Sequence, residues 1–169
     1  LTVVDVTTFL SLAIVVKRKG VWLPATRALE NFLLEIGRTS AMLQSDNEPA
    51  ITSLVTEVTK NTPGLSRRHS PAYSSRAMGA IGNFQVQLYG QIRAMRANLE
   101  ENVGLVIRLS MPIVAWMVLY ASFLLSRFQL NEDGVTSFFR RWSRNFAGAL
   151  CYLAELILYL LPRTPKDKL

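Results

Sequence analysis

The stretch Gln44-Ser45-Asp46-Asn47-Glu48-Pro49-Ala50 decides the fold, because a short apolar run ends there and a helix begins. Residues 41–43 are apolar and predict a short buried strand. Pro49 suits the first turn of a helix, and apolar side chains follow it at helical spacing, at Ile51, Leu54, Val55 and Val58. Asp46 therefore lies between the end of a strand and the start of a helix. Taken alone, that position favours a helix-capping residue.

The neighbouring segments predict two strands first and then alternating strands and helices. Apolar, β-branched runs at 1–6 and 9–16 predict adjacent strands. Pro24 and Gly37 are placed to begin and end a helix. Further elements are predicted as an edge strand at 65–69, a long helix at 78–99 and an apolar helix ending near 128. This order favours an α/β domain with a mixed sheet.

The composition predicts a folded domain with an anionic partner. Of the 169 residues, 50% are hydrophobic and 18% are charged, which argues against disorder. The net charge of +7 favours nucleic acid or acidic lipid as a partner, and a basic surface without a partner is the alternative. The single cysteine, Cys151, and the single histidine, His69, exclude an internal disulfide, a Cys-rich zinc site and a multi-His metal site.

An uncharged stretch at 109–126 leaves a second class of protein open. It lies between Arg108 and Arg127 and has the minimum length of a membrane span. Pro112 near its start, and the polar residues within it, suit a helix buried in a globular domain equally well. The alternative to a nucleic-acid-binding domain is therefore a small basic membrane-anchored protein with a span at 109–126.

The order of several short motifs resembles the catalytic core of retroviral and retrotransposon integrases, in the RNase H-like superfamily. The segment around Asp46 is similar to their second-aspartate motif, and 35 residues separate Asp46 from Gly82. At that spacing the family carries its last catalytic Glu. Further similar segments lie at 69–74, 78–81, 91–93, 125–128 and 133–136.

The resemblance implies an α/β fold with an RNase H-like mixed sheet flanked by helices. Integrase cores have three strands before their first core helix, whereas this sequence has room for only two before Pro24. We therefore expect a core that lacks one N-terminal strand. Residues 1–130 are expected to form this core, incomplete near its N-terminus, and residues 131–169 to form a post-core segment.

The resemblance also implies an integrase-type polynucleotidyl transferase site in which carboxylates hold Mg²⁺ or Mn²⁺. Two such ions activate the attacking oxygen and stabilise the leaving one, and they need Asp or Glu ligands. Asp5 and Asp46 are the expected catalytic and metal-binding residues, and Gly82 occupies the position of the family Glu. Glycine offers no oxygen ligand. We therefore expect metal binding to be weakened or lost and the chain neither to join nor to cleave DNA.

Two alternatives are open for Asp5. It can match the first catalytic Asp of the family, with a strand lost after it. It can also be incidental, if the sequence starts too late to include that Asp. In the second case Asp5 is a strand-end residue in a turn with Thr7 and Thr8.

A chain that has lost the catalytic activity can still bind nucleic acid. Lys17, Arg18 and Lys19 form a charged turn, and Arg93 and Arg96 lie on the long helix. These side chains are expected to contact phosphates with an affinity that depends on salt and not on base sequence, and a solvated face is the alternative. The expected function is that of an inactive, DNA-binding fragment of a retrotransposon polyprotein. By resemblance, homo-oligomers and a location in the nucleus are also expected.

Overall fold

The computed structural model describes residues 1–69 and 79–155, and this part of the chain has a mixed α/β fold. It contains four short strands and five helices: β1 Thr2–Val4, β2 Ser11–Ala13, α1 Leu23–Glu35, β3 Ala41–Ser45, α2 Pro49–Asn61, β4 Leu65–His69, α3 Gly79–Val103, α4 Pro112–Phe128 and α5 Ser137–Trp142. The predicted α/β class, with helices flanking the strands, is confirmed. Residues 70–74 of the resembling segment at 69–74 lie outside the described residues, and so does residue 78, the first of both the segment at 78–81 and the predicted long helix.

The strands form two separate two-stranded sheets, the first half (β1 and β2) and the second half (β3 and β4). β1 pairs antiparallel with β2, with Val3 opposite Leu12, and β3 pairs parallel with β4, with Leu43 opposite Arg67. No backbone ladder joins β1 to β3 within the described residues.

Two layers of apolar side chains cover the strands. On one side, Leu29 and Phe32 of α1 and Val58 of α2 form a core cluster against which Val3 of β1 and Leu43 of β3 both pack. On the other side, helices α3 and α4 contribute a second cluster, of which Phe84, Leu88 and Ala121 are the buried members together with Ala13 of β2. Because neighbouring residues of a strand point to opposite faces, the first half of the sheet is covered on both faces.

Helix α1 begins and ends where the sequence predicts. Proline occupies its first turn, where no amide hydrogen is needed. At its end Gly37 has a φ of 65°, Gly37 N donates to the Leu34 carbonyl at 2.9 Å, and Arg38 N donates to the Leu33 carbonyl at 2.9 Å. This paired arrangement satisfies carbonyl groups that the end of a helix leaves without partners.

The predicted strands at 1–6 and 9–16 are much shorter in the structure. A closed turn from Asp5 to Leu10, the 5–10 turn, interrupts them: Asp5 N donates to the Leu10 carbonyl at 2.8 Å, and Phe9 N donates to the Asp5 carbonyl at 2.7 Å. Phe9 has a φ of 62°, which no strand permits. The β-branched composition is therefore a correct signal for strands but a poor guide to their length.

Helix α4 occupies the stretch considered as a membrane span. It has 17 residues, and its polar residues Ser122 and Ser126 are buried against the rest of the fold. The Ser126 hydroxyl lies 2.9 Å from the Ser11 hydroxyl and accepts a hydrogen bond from Ser11 N at 3.1 Å. Among residues 1–69 and 79–155, no helix combines the length and the apolar character that crossing a bilayer requires.

Helix α5 fastens the segment after residue 130 to helix α1. Arg141 Nε donates to the Ile36 carbonyl at 2.6 Å, a group at the end of α1. Trp142 packs against the core cluster of α1 and α2 and also contacts Phe138, with 4.4 Å between the ring centroids. Residues 137–142 therefore pack as part of the same body as α1.

We predict that Gly37→Ala destabilises the fold by about 2 kcal/mol, because a side chain is strained at positive φ and its Cβ would also displace the Arg141 guanidinium. The matched control is Gly104→Ala, since Gly104 has a φ of 67° but no atom within 4 Å of the point that an added Cβ would occupy. Denaturant unfolding of both variants measures the difference. Equal losses of unfolding free energy would mean that the Arg141 contact stabilises nothing.

Candidate functional site

Asp46 lies directly after β3 and is exposed to solvent. Its Oδ1 atom accepts a hydrogen bond from Glu48 N at 3.3 Å, which is a turn just before helix α2. Lys19 Nζ lies 2.8 Å from the Glu48 carboxylate. The pKa of the Lys19 ammonium is raised by its hydrogen bond to Glu48 and by the charges of Glu48 and Asp46. Asp46 thus closes a turn ahead of α2 and does not cap the helix, because the N-cap residue is Glu48 and no side chain caps α2. It also lies beside a cation from the 17–19 turn.

Asp5 lies directly after β1, and its carboxylate is occupied by partners within the fold. Arg38 Nη2 donates to its two oxygens at 2.8 and 3.1 Å, and the Thr8 hydroxyl donates at 2.6 Å. Thr7 N adds a longer hydrogen bond of 3.4 Å. Burial alone would raise the pKa of the Asp5 carboxyl, but the hydrogen bonds from Thr8 and Arg38 and the Arg38 charge hold it below its ordinary value. The contacts with Thr7 and Thr8 are those of a strand-end residue in a turn, which is the second of the two alternatives for Asp5.

The structure does not bring Asp5 and Asp46 together in a metal site. Asp5 is tied to Arg38, on the connection that leads into β3, whereas Asp46 follows the last residue of that strand. A strand of five residues extends about 16 Å. The described residues contain no group of three His, Cys, Asp or Glu side chains that could hold a metal ion. The side chains present therefore do not fit the implied Mg²⁺ or Mn²⁺ site.

Gly82 lies in the first turns of α3 and faces open space. A Cβ atom at this position would have no neighbour within 4 Å in the described structure. At helical spacing from Gly82, the exposed side chains of Val86, Tyr89 and Arg93 continue along the same side of the helix. We call these four positions the α3 stripe. Its Val86 and Tyr89 side chains are 72% and 59% exposed.

The predicted phosphate-binding side chains differ in how many hydrogen bonds and ion pairs they already form within the described fold. Lys17 and Arg93 are exposed and form no hydrogen bond or ion pair with the described residues. Arg18 makes one long hydrogen bond, 3.4 Å to the Val21 carbonyl. Lys19 is paired with Glu48, and Arg96 Nε is paired with Glu100 at 2.9 Å. Lys17, Arg18 and Arg93 are thus the side chains best able to meet a new anion.

Arginines of the C-terminal part are used inside the fold. Arg127 lies over the Phe123 ring, 3.8 Å from its centroid, and pairs with Glu35 of α1 at 3.1 Å. Burial lowers the pKa of the Arg127 guanidinium. Arg140 pairs with Asp133 at 2.7 Å, and Arg141 caps α1. These guanidinium groups are therefore held by partners within the fold and are less available to a ligand than exposed, unpaired cations.

Two solved structures share this architecture. The catalytic core domain of BIV integrase aligns with a TM-score of 0.55 and 15% identity over 83% of this chain and 82% of its own. A simian T-cell lymphotropic virus intasome, in complex with PP2A regulatory subunit B56 gamma, aligns with a TM-score of 0.62 and 15% identity over 95% of this chain. The chain folds like a retroviral integrase core.

The similarity concerns the integrase-like core fold alone. No family model and no curated protein matches the sequence. The chain spans 52%, about half, of the length of the intasome chain that it matches. At 15% identity, the chemistry of this integrase-like core has to be argued from its own side chains.

Sequence reasoning misses several residues that shape this integrase-like core. Arg38 is 33 positions from Asp5, so no local pattern marks the pair. The apolar run at 9–16 predicts Phe9 in a strand, whereas Phe9 occupies the 5–10 turn. Tyr89 could have been found, because it lies seven positions after Gly82 and therefore on the same side of the helix.

We predict that Asp5→Asn lowers the free energy of unfolding at neutral pH by about 1–2 kcal/mol, since it weakens charged hydrogen bonds of a largely buried group. The pKa of Asp5 is lower in the folded state, so its stabilisation is complete above the ordinary value of 3.8 and is lost as the pH falls through the folded pKa. Chemical denaturation of both proteins between neutral and acid pH should therefore show a difference that shrinks in acid.

Glu48→Gln is the control for this experiment, because it removes an exposed ion pair with Lys19 and should change stability little at any pH. A pH-independent difference between wild type and Asp5→Asn would contradict the role given to the Asp5 charge.

Proposed function

We propose that this chain binds nucleic acid through its integrase-like core and does not catalyse metal-dependent strand transfer. The observation that carries the proposal is the α3 stripe, which starts at the position of the missing Glu and leads to Arg93, a cation that no described residue neutralises. A helix with an exposed aromatic ring and an unpaired guanidinium can contact both the bases and the phosphates of a nucleic acid.

The charge of the accessible side chains supports this proposal. Lys17 and Arg18 extend from the turn after β2 and, with Arg93, are the predicted contacts that the described fold leaves available. Phosphate contacts from such exposed cations release counterions, so the affinity they provide falls as salt rises. Lys19 and Arg96 add less, because Glu48 and Glu100 already neutralise them.

The side chains near the expected catalytic positions support the absence of chemistry. Gly82 has no ligand atom, Asp5 is held by Arg38 and Thr8, and Asp46 is exposed beside Lys19. Phosphoryl transfer of the integrase type needs carboxylates that converge on two divalent ions. We therefore derive no reaction step through Mg²⁺ or Mn²⁺ for this chain.

The origin, assembly and location of the chain follow from the resemblance and form part of the proposal. One of the similar structures is an intasome, and we propose DNA as the partner of this chain on that basis. A retrotransposon polyprotein as the source, homo-oligomers and a location in the nucleus remain predictions.

We predict that Arg93→Ala weakens binding to a mixed-sequence DNA duplex several-fold and lowers the slope of log affinity against log salt by about 1. Fluorescence anisotropy over a range of salt concentrations measures both quantities. Arg27→Ala is the matched control, since it removes the same charge from an exposed position on α1, in the opposite layer. The same samples incubated with Mg²⁺ or Mn²⁺ should leave the DNA intact.

Two results would overturn the proposal. Equal effects of Arg93→Ala and Arg27→Ala would mean that binding, if present, is a property of the net charge and not of the α3 stripe. Nicked or joined DNA in the wild-type samples would show that the chain is an active enzyme.

A further inference from the structure

The 5–10 turn holds an aromatic side chain in a backbone conformation that such residues rarely adopt. Phe9 has a φ of 62°, in the left-handed region where Cβ crowds the following carbonyl oxygen. Asp5 and Leu10 close the turn through the backbone, and the Thr8 hydroxyl donates to the Asp5 carboxylate. Because Arg38 in turn holds that carboxylate, the position of Phe9 is fixed by a network of hydrogen bonds.

Core packing does not account for this strained conformation. The Phe9 side chain is 40% exposed and belongs to none of the core clusters of the described residues. A backbone outlier that survives without compensation from burial is a reason to look for a function at that residue.

The Phe9 ring lines a cavity of about 290 Å³ between the 5–10 turn, the start of α3 and the segment after α4. Four amide side chains line it as well: Asn83 and Gln87 of α3, Gln129 and Asn131. The Asn131 amide donates to the Val135 carbonyl at 2.8 Å, whereas the other three form no side-chain hydrogen bond within the part of the chain that the structure describes. The cavity therefore combines an aromatic surface with several donors and acceptors that have no described partner.

Two charged side chains complete the wall of this cavity. The Arg140 guanidinium lies over the Phe9 ring, 4.8 Å from its centroid, and is fixed by its ion pair with Asp133. Glu132 also lines the cavity. A carboxylate at this point repels a phosphate group inside the cavity, so a neutral planar group is the better occupant.

We propose that this cavity binds a single unstacked base of a single-stranded nucleic acid. An aromatic ring offers a stacking surface to any base, and amide groups can donate to and accept from the polar edge of that base. The volume is near the lower limit of small-molecule sites, which suits one nucleoside and not a base pair. The inference rests on the proposed nucleic-acid binding and adds a site for a single-stranded segment to the contact made by the α3 stripe.

Two substitutions of Phe9 test this site, with binding to a 12-nucleotide single strand and to a duplex measured in parallel by anisotropy. Phe9→Leu removes the ring and should weaken single-strand binding about 10-fold, with duplex binding changed less than about 2-fold. Phe9→Gly relieves the positive φ and should raise the Tm by about 2–4 °C while weakening single-strand binding equally. Phe139→Leu, at an exposed ring on α5 outside the cavity, should change neither affinity.

The opposite signs of stability and binding in Phe9→Gly separate a ligand site from a structural role. Unchanged single-strand affinity in both Phe9 variants would overturn the site, and so would equal losses for single strand and duplex. The duplex measurement on the wild type reports on the proposed function independently. If the wild type binds single strands through Phe9 but does not bind duplex, the cavity is supported and the duplex contact by the α3 stripe is not.

Discussion

The ion pair between Asp5 and Arg38 joins the two halves of a sheet that no described backbone ladder connects. Asp5 directly follows β1 and Arg38 precedes β3, so the pair links the ends of two strands that belong to different halves. The common cluster of α1 and α2 supplies the rest of this connection, because Val3 and Leu43 pack against the same side chains. Side chains therefore do here what hydrogen bonds of the main chain do in a continuous sheet.

This arrangement also determines what the integrase-like core can do. The Asp5 carboxylate accepts hydrogen bonds from Arg38 and Thr8 within the fold. Helices α3 and α4 cover the first half of the sheet, and the opposite side of α3 is left exposed from Gly82 to Arg93. The same 5–10 turn that Asp5 stabilises holds Phe9 beside α3. The structural role and the proposed binding role thus meet at one short segment of the chain.

Much of the fold was predictable because its signals are local. Pro49 begins α2, Gly37 ends α1 at positive φ, and the strand predicted at 65–69 is present as β4. Each of these follows from the backbone preference of one residue or from a short apolar pattern. The α/β class followed from the order of such elements.

The features that escaped prediction depend on contacts between distant segments. The Ser11 and Ser126 hydroxyls are 115 positions apart in the sequence but lie in contact in the fold. The polar Ser126 of the apolar helix α4 is therefore a contact with β2, which the sequence of α4 alone does not indicate. The positive φ of Phe9 opposes its strand preference, and only closure of the 5–10 turn imposes it.

We propose that catalysis is absent from this core because the carboxylates do not converge, and not only because one of them is missing. An assay of DNA nicking and strand transfer by Gly82→Glu with Mn²⁺ separates these two causes, because this variant restores the missing carboxylate. The described residues leave open space at this position for the larger side chain. We expect the DNA to remain intact, because Asp5 stays bound to Arg38. Metal-dependent nicking by this variant, absent from Gly82→Gln, would show instead that the missing Glu alone abolishes the reaction.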